Sequence, residues 1–241
     1  MCSGPSNGLT VPVASTYPAL RVLGSFWARI HTWVRARGGH GSHANEAEAV
    51  LITVLQQRAP EVGEHGDAVK GLALEVGRDI GLPPGELATL SRASALHDVG
   101  KIAIPDSILR KPTPLDEREW GFMRRHTVLG ERIVAAAPSL ASVGRLIRAS
   151  HERWDGGGYP DGLAGQSIPL AARIIFACDA YDAITADRPY SPARGRDTAL
   201  EELRRAAGSQ FDPMVVRSVV RAVQSVVPDR LARPRPVVLT Q

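Results

Sequence analysis

Cysteine is nearly absent from this chain of 241 residues, which holds only Cys2 and Cys178. That excludes a disulfide framework and a cysteine-built metal site, so any bound metal must be held by His, Asp or Glu. Lysine is almost as scarce: Lys70, Lys101 and Lys111 are the only three among 29 basic residues. Long apolar runs are missing too. The longest stretch, Ile168 to Ile184, is broken by Arg173, Asp179 and Asp182, far short of the ~18 unbroken apolar residues of a membrane span. The N-terminus has no basic start followed by an apolar stretch and a cleavage site, so a cytoplasmic location is expected.

What remains is ordinary globular material, 44% hydrophobic and 22% charged, with a mean hydropathy of -0.10. That composition suits one large domain with extensions. The net charge of +4 comes from scattered basic residues. It reads as a solvated surface and gives no ground for duplex nucleic-acid binding.

Residues 1–16 lack periodicity and read as a disordered lead-in. From Leu20 to Val34, Leu20, Leu23, Phe26, Trp27, Ile30, Trp33 and Val34 recur at three- and four-residue steps. They predict an amphipathic basic helix that packs on the main domain, forms a homodimer or meets a signalling partner, in preference to a membrane surface. GGHGSH at 38–43 reads as a linker. Beyond Asn45, helical patterns alternate with Gly/Pro punctuation and strand-type alternation is scarce. An all-α domain over 46–227 is therefore expected. Its predicted helices cover about 46–58, 65–80, 86–97, 117–136 with a break near His126, 140–153, 169–185, 197–206 and 213–226. Gly81 is a stop signal, and Asp116 with Glu119 resembles a capping box. Asp155–Ser167 is too rich in glycine for a helix, and a loop of that length is usually functional. Residues 228–241 read as a disordered Pro/Arg tail.

Four of the seven histidines, His65, His97, His126 and His151, fall one per predicted helix or helix end. Helices packed side by side can aim one such side chain each into a bundle centre, which is how helical bundles build metal sites. His97 is followed at once by Asp98. Adjacent helical side chains diverge by about 100°, so both serve one cluster only near a helix end, where Gly100 permits a bend. Asp179 lies among apolar and small residues, and a buried carboxylate is costly unless paired or metal-bound. Asp182, three residues on, is read as an ion-pair partner for an arginine such as Arg188 or as a second ligand.

The strings HDVGKIAIPDSIL at 97–109, EWGFMRRHTVLGERI at 119–133, HERWDGGGYPDGLAGQSIPLAARI at 151–174, DAYDAITADRPY at 179–190 and GSQFDP at 208–213 together resemble the HD-GYP domain. This is the cyclic-dinucleotide phosphodiesterase branch of the HD metal-dependent phosphohydrolases, and the resemblance spans about Glu46 to Val226. It implies an HD-superfamily helical bundle around two or three divalent ions, iron or manganese. By position it implies His65, His97, Asp98, His126, His151 and Asp179 as ligands, Asp98 as the bridge, and Glu61 as a ligand in members holding a third ion. Gly158, Tyr159 and Pro160 match the GYP substrate lip, with Tyr159 facing a guanine. The implied reaction opens cyclic di-GMP to linear pGpG, with onward cleavage to GMP left open, by attack of metal-activated hydroxide. Asp98 and Lys101 are the implied catalytic residues, Lys101 neutralising phosphoryl charge.

Two positions depart from the pattern. Ser150 stands where many members have a further histidine. Ser191 stands where some carry a basic phosphate contact, which Arg188 or Arg194 would have to replace. These departures keep two alternatives open: a catalytically weak signalling module that binds nucleotide or partner, and an HD phosphohydrolase of another nucleotide.

Overall fold

The computed structural model describes residues 40–186 and 193–225. The lead-in, the helix expected at 20–34, the tail, Arg188 and Ser191 lie outside these residues. Among the described residues the regular elements are helical, with one isolated bridge between Ala207 and Phe211. In chain order the helices are α1 His40–Arg58, α2 Pro60–Ile80, α3 Pro84–Leu96, α4 Asp106–Leu109 and α5 Glu117–Arg124. These are followed by α6 His126–Ala135, α7 Ala141–Arg148, α8 Leu170–Thr185, α9 Arg196–Arg205 and α10 Pro213–Ser225. A 3-10 turn, Val99–Ala103, follows α3.

The local signals act as their chemistry requires. Gly81 ends α2 in the left-handed conformation at φ 88°, its N–H reaching back to the carbonyls of Gly77 and Arg78. At α5, Asp116 accepts from the Glu119 N–H at 2.8 Å while the Glu119 carboxylate accepts from the Asp116 N–H at 2.9 Å, completing the expected capping box. The expected break near His126 falls at Arg125, between α5 and α6.

Three boundaries differ from expectation, one being the start of α2 at Pro60 in place of about 65. The segment 40–43, read as linker, is already helical. A glycine costs only about 1 kcal/mol in a helix, and α1 is docked through the buried Ala44 and Ala47. The helix expected over 140–153 stops at Arg148. There the Ser150 hydroxyl donates to the Ile147 carbonyl at 2.8 Å, and the chain turns so that His151 leaves the helix path.

The core runs through the middle of the bundle, where Leu90 and Leu96 of α3, Ile147 of α7, Ile174 and Ile175 of α8, Leu203 of α9 and Val219 of α10 are buried. Cys178 is a free, buried thiol in this core. Helix α2 packs against α3, α8 and α10, and α6 packs against α7 and the 3-10 turn. That last contact fixes the site. A Cβ on Gly100 would stand 1.8 Å from the His126 carbonyl oxygen and 2.6 Å from the Gly130 nitrogen. Backbone therefore meets backbone, and only glycine lets Asp98 and His126 converge.

Gly100→Ala should cost about 3 kcal/mol of unfolding free energy, the upper part of the range for overpacking a tight contact. Gly71→Ala, on α2 with nothing within 4 Å of the added methyl, should instead stabilise by about 0.5–1 kcal/mol. Urea denaturation of both variants checks the pair. Equal effects would contradict the close crossing.

Candidate metal centre

Five elements deliver one cluster. α2 carries His65, the end of α3 carries His97 and Asp98, α6 opens with His126, the turn after α7 carries His151 and α8 carries Asp179 and Asp182. His97, Asp98 and His126 are almost wholly buried. His97 Nδ1 lies 2.8 Å from the Ser94 carbonyl, and His126 Nδ1 lies 2.8 Å from the Met123 carbonyl. A carbonyl only accepts, so in both rings Nδ1 carries the hydrogen, and Nε2 of the neutral ring presents its lone pair.

Those lone pairs converge on one place. His97 Nε2, His126 Nε2, His151 Nε2 and Asp98 Oδ1 are all buried without a hydrogen-bond partner. His126 Nε2 lies 3.4 Å from Asp98 Oδ1, and His97 Nε2 lies 3.6 Å from Asp98 Oδ2. Two triads have donor atoms within 4.8 Å of one another, His65–His97–Asp98 and Asp98–His126–His151. Asp98 belongs to both, and its two oxygens face different imidazoles. An imidazole and carboxylate set of this kind suits a first-row divalent ion, and a shared carboxylate suits a pair of them.

The electrostatics keep the donors in binding form. Burial opposes a charge on Asp98, but the Lys101 ammonium at 2.6 Å, aided by the surrounding imidazoles, holds its carboxyl well below the usual range. Burial lowers His126, and burial together with the neighbouring His126 pushes His151 down to about 3. Both rings are therefore neutral at pH 7. His65 is the exception. Burial opposes its charge as well, but Nε2 meets Asp179 Oδ1 at 2.9 Å and Nδ1 meets Asp182 Oδ2 at 2.5 Å, and the two carboxylates raise it to about 9.

The expected residues divide as follows. His65, His97, Asp98, His126 and His151 come together, and Asp179 adjoins them through His65. Lys101 lies on Asp98. Ser150 is buried with its hydroxyl turned to a backbone carbonyl. Asp182 faces His65, which orients that ring as carboxylates commonly orient metal-binding histidines. Arg194 is held by Glu202 at 2.8 Å, so it is committed elsewhere.

The Gly158–Tyr159–Pro160 lip packs directly on the centre. Tyr159 stacks on His151 with centroids 5.1 Å apart and planes 6° from parallel. Its N–H donates to the His151 carbonyl at 3.2 Å, and a cis peptide joins it to Pro160. One face expected for a base is thus occupied by His151. A Cβ on Gly158 would lie 2.3 Å from the Arg153 nitrogen. Trp154 anchors the loop through backbone bonds to Gln210 and Gly165 and lies under the Arg173 guanidinium. Glu152 carries no sequence signal, yet its buried carboxylate accepts the N–H groups of Asp161 and Leu163 at 2.7 and 3.0 Å and ties the loop down.

The family model of the HD domain matches residues 49–215. The chain belongs to the HD domain family and carries the Gly-Tyr-Pro lip of the HD-GYP domain at 158–160. The cyclic di-GMP phosphodiesterase response regulator RpfG of Xanthomonas campestris is 44% identical over 155 residues, covering 64% of this chain and 40% of the relative. The 3'3'-cGAMP-specific phosphodiesterase 2 of Vibrio cholerae is 36% identical over 187 residues, covering 74% and 36%. A probable cyclic di-GMP phosphodiesterase of the same species is 35% identical over 216 residues, covering 82% and 49%. The chain therefore spans half or less of the length of these relatives. In fold it matches a cyclic GMP-AMP-specific phosphodiesterase of V. cholerae, with a TM-score of 0.59, 19% identity, and coverage of 75% of this chain and 49% of that one. It also matches the HD domain of the L. monocytogenes phosphodiesterase PgpH in complex with cyclic-di-AMP, with a TM-score of 0.54, 16% identity, and coverage of 75% and 98%. No helix among the described residues is long and apolar enough to cross a membrane.

An ion placed on His65 Nε2 must displace the proton that Asp179 and Asp182 retain up to about pH 9. Manganese affinity should therefore strengthen between pH 7 and 9, by up to about tenfold per unit. Asp182→Asn, which removes one of the two charges, should flatten that rise. Competition with a chelating dye measures both, and a pH-independent affinity in the parent would contradict the reading.

Proposed function

We propose that this chain is a metal-dependent phosphodiesterase that opens cyclic di-GMP to linear pGpG. The observation that carries this reading is Asp98, a buried carboxylate shared by two sets of imidazole donors. His65, His97, Asp98, His126, His151 and Asp179 would hold two ions, manganese or iron, whose hard-to-intermediate donor set of nitrogen and oxygen they match. Glu61, one helical turn before His65 on α2, is the residue to supply a third. When bound, the ions activate water and polarise the phosphodiester.

The protein's own residues do the rest. Asp98 stays ionised and fixes the spacing between the two donor sets. The Nδ1–H bonds of His97 and His126 hold their rings on target. Lys101, 2.6 Å from Asp98, places a mobile positive charge beside the phosphoryl oxygens as negative charge builds there. Tyr159 covers one face of the His151 ring, and Arg188 is assigned to substrate phosphate. The relatives' names support a cyclic dinucleotide as substrate class. Cyclic di-GMP is favoured over the mixed dinucleotide by the greater identity to the cyclic di-GMP enzyme.

A catalytically weak signalling module is the second reading, and Ser150 favours it, since its hydroxyl is spent on Ile147 where a further ligand could stand. Anaerobically purified chain, loaded with manganese or iron and incubated with cyclic di-GMP, should yield pGpG on chromatography. His97→Ala and Asp98→Ala should lower turnover by at least about a thousandfold, since each removes a donor that the ions require. An inert but metal-loaded parent would favour the signalling module.

A further inference from the structure

A cyclic dinucleotide has two phosphates and two bases, and a metal centre can hold only one phosphate. The other nucleotide needs a cation and an apolar surface nearby. Within the described residues, Lys101 is engaged by Asp98 and Arg194 by Glu202. Arg124, the last residue of α5, is different. It is exposed and has no carboxylate within ion-pair reach among the described residues, and its guanidinium lies 5.8 Å from the centroid of the Tyr159 ring. That ring stacks on His151 at the centre. Arg124 is also two residues before His126, so its backbone is anchored where the cluster begins.

One turn back on α5 is Trp120. Residues four apart share a helix face, so Trp120 continues the Arg124 face about 6 Å back along the helix. It is 46% exposed, the most open of the three large apolar side chains exposed among the described residues. The capping box fixes this short helix, and Lys111 adds a bond to Glu119 at 2.6 Å. A cation and an aromatic surface thus share one face of the short helix that ends two residues before His126.

We infer that Arg124 and Trp120 form a second-nucleotide subsite, resting on the phosphodiesterase reading above: Arg124 takes the non-scissile phosphate and Trp120 stacks on the base attached to it. The chemistry fits both parts. A guanidinium binds phosphate through paired N–H donors, and an exposed indole offers a stacking platform worth about 1–3 kcal/mol per base.

The test uses the full chain loaded with manganese, with cyclic di-GMP and the small diester bis(p-nitrophenyl) phosphate as substrates. Arg124→Ala and Trp120→Ala should each raise KM for cyclic di-GMP about tenfold or more, with kcat changing much less. The loss should be confined to the dinucleotide and metal content retained. Arg124→Lys and Trp120→Phe should recover part of the affinity. Unchanged KM in a parent that cleaves cyclic di-GMP would overturn the subsite alone, as would equal losses on both substrates. A parent that neither binds nor cleaves cyclic di-GMP would overturn the proposed function and the subsite with it.

Discussion

Everything near the site depends on a carboxylate placed where carboxylates are expensive. Asp98 is 3% exposed, and its Oδ1 has no hydrogen-bond partner. The same holds for Nε2 of His97, His126 and His151. Leaving one buried polar atom unpaired costs about 1–3 kcal/mol, so four together consume a sizeable part of the ~5–15 kcal/mol that holds an average domain folded. A fold that tolerates this has another use for the atoms, and lone pairs converging from three separate elements have metal coordination as their natural use.

The backbone geometry follows from that demand. Asp98 reaches His126 because Gly100 lets the 3-10 turn lie against α6. His151 reaches both because α7 ends at Arg148 and Ser150 closes the turn. Tyr159 then lies flat on His151, and the buried Glu152 holds the far side of the same loop. The lip and the centre are thus one mechanical unit, so a substitution in Asp155–Ser167 that displaces Tyr159 will also disturb a candidate ligand.

Much of this was legible in the sequence, for physical reasons that differ by residue. Helix periodicity, the stop at Gly81 and the capping box at Asp116 report local energetics, and local energetics decided those boundaries. The four spaced histidines and the His97–Asp98 pair were visible because metal chemistry restricts residue type. The pairing of Asp182 with His65 was hidden: spacing from Asp179 showed a shared face but not what faced it across 117 residues of chain. Glu152 was hidden for a similar reason, since its partners are backbone N–H groups, which every residue but proline carries. The helical start at His40 was misread because docking of Ala44 and Ala47 outweighed the glycine signal.

The most direct test of the account is a metal count joined to magnetic spectroscopy on chain loaded with manganese. The shared Asp98 predicts at least two ions per chain and a spin-coupled manganese signal that Asp98→Ala abolishes. A folded protein that binds one isolated ion, or none, would contradict it.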